Sequence, residues 1–201
     1  SLTGTPEFRL LAPDHRRYWQ LIAAELQRYG ANTLASLVRL GQGVTYREIL
    51  VDVCDKLDVN YNQKSTTETI ELALLMKVLE KSLDQMSPEE LAAFSHNMHL
   101  DLTNPTPQLI LIAVQAAIRT SSLAALELAT MLSASVITSL GGIATWGTVV
   151  VASRALSVLA GPLAIALSSA WMISDITGPA YRVTIPACII VSWLRQQHLS
   201  R

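Results

Sequence analysis

Lysine is absent from the whole second half of this 201-residue chain, and charge of either sign is scarce there. Residues 106–201 carry five arginines against two acids, Glu127 and Asp175, a net of +3. Residues 1–105 carry ten Lys/Arg against fourteen Asp/Glu, a net of −4. Over the chain only 15% of residues are charged, against about a quarter in an ordinary soluble domain. Half are hydrophobic and mean hydropathy is +0.34, which excludes a disordered chain. Two cysteines, Cys54 and Cys188, are too few for a disulfide scaffold and too far apart for a metal spacing. The overall net charge of −1 gives no electrostatic basis for binding nucleic acid. No Gly-rich phosphate loop, GxSxG elbow or HExxH pair is present. The chain opens on Ser1 rather than Met, which reads as a trimmed chain that could have lost a targeting segment.

What is present is helical. Asp14 follows Pro13 and caps a helix carrying Tyr18, Trp19, Leu21, Ile22 and Leu26, with Gly30 as its stop. Asn32 opens a short second helix that Gly41 ends. Thr45 with Glu48, Ser65 with Glu68, and Ser87 with Glu90 are three capping boxes. Apolar residues recur at helical spacing behind each, as in Ile70, Leu74, Leu75, Val78, Leu79 and Leu83. No stretch alternates as a half-buried strand does. The expected fold is all-α, a bundle of about eight to nine helices with a central apolar helical hairpin. Residues 1–105 form its charged, amphipathic part and 106–201 its apolar part, with a buried or membrane-competent hairpin and a C-terminal helix.

After Asn104-Pro105-Thr106-Pro107 the chain is almost continuously apolar or small, interrupted by Arg119 and Glu127. Leu128–Ser153 is an uncharged run of 26 residues, and after Arg154 come 20 more, Ala155–Ser174. Both pass the length test for a bilayer span. Their Ser, Thr and Gly content, with breaks at Gly141-Gly142 and Gly161-Pro162, makes them marginal spans. An all-apolar helix also suits the centre of a soluble bundle, and small residues such as Ala134 and Gly142 serve close packing in either setting. Both readings stay open.

Sites for chemistry are sparse. His96 and His99 are spaced to face one metal, but no carboxylate or thiol supports them, and surface histidines are the simpler reading. Cys54 and Cys188 lie among apolar residues, where a thiol is inert. Asp52, Asp55 and Asp58 recur every third residue and read as a solvated acidic stripe. His15, Arg16 and Arg17 beside Asp14 suggest capping with an ion-pair cluster or an anion contact. Tyr181 and Arg182 sit between Pro179 and Pro186, where Arg182 is placed to pair with Asp175 and hinge the hairpin onto the last helix.

Three blocks carry a resemblance. They are His15–Ala23 with Glu25-Leu26-Gln27, then Tyr46-Arg47-Glu48-Ile49-Leu50-Val51-Asp52-Val53, and Ala180–Ala187. Together they resemble the YaaW-like family of uncharacterised bacterial proteins, grouped with the ubiquinol–cytochrome c chaperone superfamily. The likeness covers roughly residues 14–90 and 178–196; the middle matches only in its small, apolar character. It implies an all-α fold, no established enzymatic activity and no catalytic residues to carry over. The residues expected to serve structure or partner contact are His15, Arg16, Arg17, Trp19, Tyr46, Arg47, Asp52, Asp175, Tyr181 and Arg182. No catalytic residue, cofactor or metal ligand is expected.

The functional expectation is a membrane-interacting protein that shelters an apolar hairpin able to insert into a bilayer, as a pore-forming, toxin or defence effector would. The expected location is cytoplasmic with reversible membrane association, or the inner membrane, with oligomers on the membrane. The alternatives are an assembly chaperone or binding module for an apolar client, and an enzyme of unknown class. Expected partners are a lipid bilayer or an apolar protein segment, and not nucleic acid.

Overall fold

Helix is the regular structure throughout the residues that the computed structural model describes: 2–30, 44–100, 102–139, 162 and 181–200. Among them are eight α-helices and no strand. A 3-10 turn, Leu2–Gly4, precedes α1 (Pro6–Leu11), and a second, His15–Tyr18, runs straight into α2 (Trp19–Gly30). Then come α3 (Tyr46–Lys56), α4 (Thr67–Leu83), α5 (Pro88–Asn97), α6 (Pro107–Thr120), α7 (Ser122–Ser139) and α8 (Tyr181–Leu199). The all-α expectation holds over these residues. The helix anticipated behind Asn32, the Gly141-Gly142 and Gly161 breaks, and Asp175 lie outside the described residues.

Capping residues set most of the boundaries. At α3, Glu48 N–H donates to Thr45 Oγ1 at 3.3 Å while Thr45 N–H donates to the Glu48 carboxylate at 2.7 Å, both arms of the box. Ser87 and Glu90 do the same for α5 at 3.3 and 2.8 Å. The box expected at Ser65 does not form, and the cap moves on by one residue. Thr66 caps α4 by accepting from Thr69 N–H at 3.3 Å, and the Ser65 carbonyl instead accepts from Arg47 at 2.8 Å. The apolar run from Gln108 is also divided. Ser121 adopts an extended conformation and its hydroxyl accepts from Leu123 N–H at 3.2 Å, so α6 stops and α7 starts afresh. Serine side chains compete for backbone partners in this way.

Two helix ends correct the sequence reading. At α3, Asp58 has φ 55°, and Val59 N–H reaches the Cys54 carbonyl at 2.9 Å. At α5, His99 has φ 53°, and Leu100 N–H reaches the Ser95 carbonyl at 2.9 Å. Each is a left-handed termination of the type glycine usually fills. His99 has therefore left the helix that carries His96, and Asp58 lies beyond the end of the helix that carries Asp52 and Asp55.

The core runs from α3 to α8. Ile49, Leu50, Val53, Leu74, Leu75, Phe94, Ile110, Leu128, Leu132, Ile185 and Ile189 belong to one buried cluster. α8 packs chiefly on α7 and also on α2, α3 and α4. Every residue from Met131 to Val136 is buried. Among the described residues no helix is long and apolar enough to cross a membrane.

Candidate functional site

α3, α4 and α8 meet around one buried carboxylate. Glu71 lies within the apolar stripe of α4 and has no exposed surface. Tyr46, the first residue of α3, donates its hydroxyl to Glu71 Oε1 at 2.8 Å. Arg195, near the end of α8, donates Nε–H to Glu71 Oε2 at 2.7 Å, and its Nη1 lies 4.0 Å from Glu68. Both carboxylate oxygens are thus answered, as a buried charge requires. Burial pushes Glu71 above the usual carboxylate range, against the opposing pull of Tyr46 and Arg195. Desolvation disfavours the Arg195 charge, but the contact with Glu71 outweighs it and holds Arg195 above its ordinary value. Tyr46 is pushed far up, by burial first and then by the nearby Cys188 and Glu71.

The thiols belong to the same region. Burial raises Cys54 to about 12 and Cys188 higher still, so neither holds the thiolate that chemistry would need. Glu71 and Cys188 have no solvent-facing surface. The arrangement is a polar clasp that fixes α8 to α3 and α4.

The expected site residues are distributed around this clasp. Arg47 ties down the α3–α4 connection through the Gln63 and Ser65 carbonyls at 2.7 and 2.8 Å and Thr67 Oγ1 at 3.3 Å. Asp52 is half-buried and raised by desolvation, then by Asp55 and Glu48. Tyr181 is raised by burial and next by Asp52 and Asp55, and Lys56 Nζ stands 5.4 Å from its ring centroid. Tyr181 thus packs against α3 at Lys56, within electrostatic reach of Asp52 and Asp55. The Asp175–Arg182 pairing lies outside the described residues, as does the Arg182 side chain. His15, Arg16, Arg17 and Trp19 sit away from the clasp, exposed on the N-terminal helices.

Glu71 and Arg195 escaped the sequence reading. Their signal was legible: an acid inside an apolar stripe has to find a cation, and the lysine-free half offers few. Across α4 and α6 lies an open cleft of about 540 Å³, with Leu72, Met76, Leu111 and Ile112 in its lining and Asp58, Lys77, Glu80 and Arg119 among its charged residues. Among the described residues no three His, Cys, Asp or Glu side chains are grouped to hold a metal.

No protein-family model matches the chain, and no solved structure does. Curated relatives do. A UPF0174 protein of Helicobacter pylori (strain J99) is 42% identical over 197 residues, covering 96% of this chain and 77% of the relative. A second from that strain is 35% identical over 202 residues, covering 98% and 96%. The UPF0174 protein YaaW of Escherichia coli K12 is 31% identical over 196 residues, covering 98% and 76%. Identity at this level along nearly the whole chain is enough to conclude that the protein belongs to the UPF0174 family, of which YaaW is a member.

Proposed function

We propose that this is a membrane-interacting protein whose charged helices shelter an apolar helical hairpin able to enter a bilayer. One observation carries the reading: the Met131–Val136 stretch of α7 is buried on all sides although this part of the helix is rich in hydroxyls, and those hydroxyls are answered by backbone carbonyls. Thr130 bonds the Leu126 carbonyl at 2.7 Å and Ser135 the Met131 carbonyl at 2.9 Å, both within the helix. Ser133 reaches the Ile189 carbonyl of α8 at 3.2 Å. Hydroxyls answered within their own helix, as at Thr130 and Ser135, lower the cost of moving a Ser/Thr-rich helix from a protein core into lipid, whereas the Ser133 bond to α8 would be given up. The uncharged run continues to Ser153, so the hairpin would be completed by the segment following α7. Such a protein would shuttle between cytoplasm and membrane, or reside at the inner membrane, and oligomerise once there. A pore-forming or defence effector is one use of this design.

The test is vesicle flotation with the full chain and a dye-release assay in parallel. Co-migration with vesicles is the expected result. A purified protein that stays monomeric and ignores vesicles from about pH 4 to 7.5, the range over which carboxylates and histidines titrate, would overturn the proposal.

A second reading is favoured by the α4–α6 cleft. Its apolar lining, with Ile112 63% exposed, suits an apolar segment of a client held by an assembly chaperone. The resemblance to the ubiquinol–cytochrome c chaperone superfamily points the same way. Retention of an apolar helical peptide, lost in Ile112→Asp, would support that reading over the membrane one.

A further inference from the structure

The front half of the chain is electrically divided. Residues 2–30 hold Arg9, Arg16, Arg17 and Arg28 against Glu7, Asp14 and Glu25, a net of +1, whereas residues 31–105 are net −5. Within the N-terminal helices Glu25 is tied to Arg28 at 2.9 Å, and the Asp14 carboxylate accepts from the Arg16 backbone N–H at 3.3 Å. The guanidinium groups of Arg9, Arg16 and Arg17 make no ion pair among the described residues. Arg16 and Arg17 are exposed, on a turn held in place by buried Tyr18. The Tyr18 ring meets Phe8 edge-on at 5.8 Å and His15 at 5.5 Å, and its hydroxyl contacts His15 Nδ1.

Directly after these arginines α2 presents large apolar side chains to solvent. Trp19 is 59% exposed, Tyr29 44% and Ile22 39%. At 3.6 residues per turn the three fall within about 80° of one another, so they form one strip. A soluble protein has little reason to leave Trp, Ile and Tyr aligned and uncovered. Indole and phenol rings are the side chains that settle at the headgroup level of a bilayer, and guanidinium is the group that grips phosphate.

We infer that this strip is a docking surface for an anionic lipid bilayer, with Arg16 and Arg17 on lipid phosphates and Trp19, Ile22 and Tyr29 at the headgroup boundary. Charge complementarity selects the lipid class and sets the orientation. The basic tip is drawn to an anionic surface and the acidic remainder of the front half is pushed away from it. A free phosphate ion would satisfy the arginines but leave the aromatic strip without a role. The inference rests on the membrane reading above and adds to it the contact surface and the lipid class.

The experiment compares the full chain on phosphatidylcholine vesicles and on vesicles containing phosphatidylglycerol. The variants are R16E/R17E, Trp19→Ser, and a charge-matched control, K64E/K81E, on the acidic body. The wild type should prefer anionic vesicles, lose that preference in high salt and keep it in excess inorganic phosphate at matched ionic strength. R16E/R17E should weaken anionic binding by about thirtyfold or more, at about 1 kcal/mol per arginine, with an unchanged circular dichroism spectrum. Trp19→Ser should weaken it too, and the control should not. Wild-type binding that R16E/R17E leaves intact, or that the control abolishes equally, overturns the docking surface while the membrane reading stands. Absence of wild-type binding to either vesicle overturns both.

Discussion

Replacing Arg195 with methionine keeps the packing of its stem while leaving Glu71 buried without its cation. Breaking a buried pair from one side costs about 3–5 kcal/mol. Arg195 retains a third of its side chain in solvent, and screening there lowers the expectation to about 2–3 kcal/mol. For a chain of this length that is a fall in Tm of roughly 4–12 °C. The cost has a pH dependence whose sign follows from the clasp. Burial already holds Glu71 above its ordinary value, and removing Arg195 takes away an opposing influence, so the folded carboxyl is raised further. A raised acid stabilises the fold below the unfolded value of about 4.3 and loses that contribution as pH rises through the folded value. The penalty of Arg195→Met is therefore largest near pH 8 and shrinks toward pH 5, where Glu71 takes up a proton instead of standing charged. Glu71→Gln in the same chain keeps an acceptor for Tyr46, removes the orphaned charge and should restore more than half of the loss. Urea unfolding followed by circular dichroism at several pH values measures all three variants. A cost below about 0.5 kcal/mol at pH 8, the size of an ordinary surface substitution, or one that does not change with pH, would refute the clasp.

Gly30→Ala should destabilise by about 1–3 kcal/mol, because a Cβ there meets Ile49 Cγ1, Ile49 Cδ1 at 2.7 Å and Val44 Cγ2 at 3.1 Å; a Tm equal to wild type would contradict this packing. Asp58→Gly and His99→Gly should each stabilise by about 0.5–1 kcal/mol, since both positions hold a left-handed conformation that costs other residues more than glycine. Loss of stability in both would show that their side chains matter more than their backbone. Ellman's reagent should label neither Cys54 nor Cys188 in the native protein and both after denaturation, as both thiols are buried and raised; rapid native labelling of either would place it at an opening.

Local signals were legible and long-range ones were not. The Thr45–Glu48 and Ser87–Glu90 boxes stand where the sequence puts them, because a capping box is settled within four residues. The shift from Ser65 to Thr66 shows the limit: two neighbouring hydroxyls compete, and the Arg47 claim on the Ser65 carbonyl is made from 18 residues away. His96 and His99 are the exposed histidines the sequence favours, but the spacing of three assumes that the helix continues, whereas the left-handed His99 lies beyond its end. The Tyr46–Glu71–Arg195 clasp joins residues 25 and 124 positions apart, a separation over which periodicity carries no information. Of the residues singled out at the start, Tyr46 alone enters that clasp. Tyr181 instead meets Lys56 of α3, and Arg16, Arg17 and Trp19 are exposed on the N-terminal helices.

The sheltering of α7 is tested most directly by hydrogen exchange of the full chain with and without vesicles. In solution the amides of Met131–Val136 should be among the slowest to exchange. On vesicles they should stay slow, now shielded by lipid, while α4 and α8, deprived of their packing partner, exchange faster. An exchange pattern identical in both states, or one in which Met131–Val136 becomes fast on vesicles, would contradict the account.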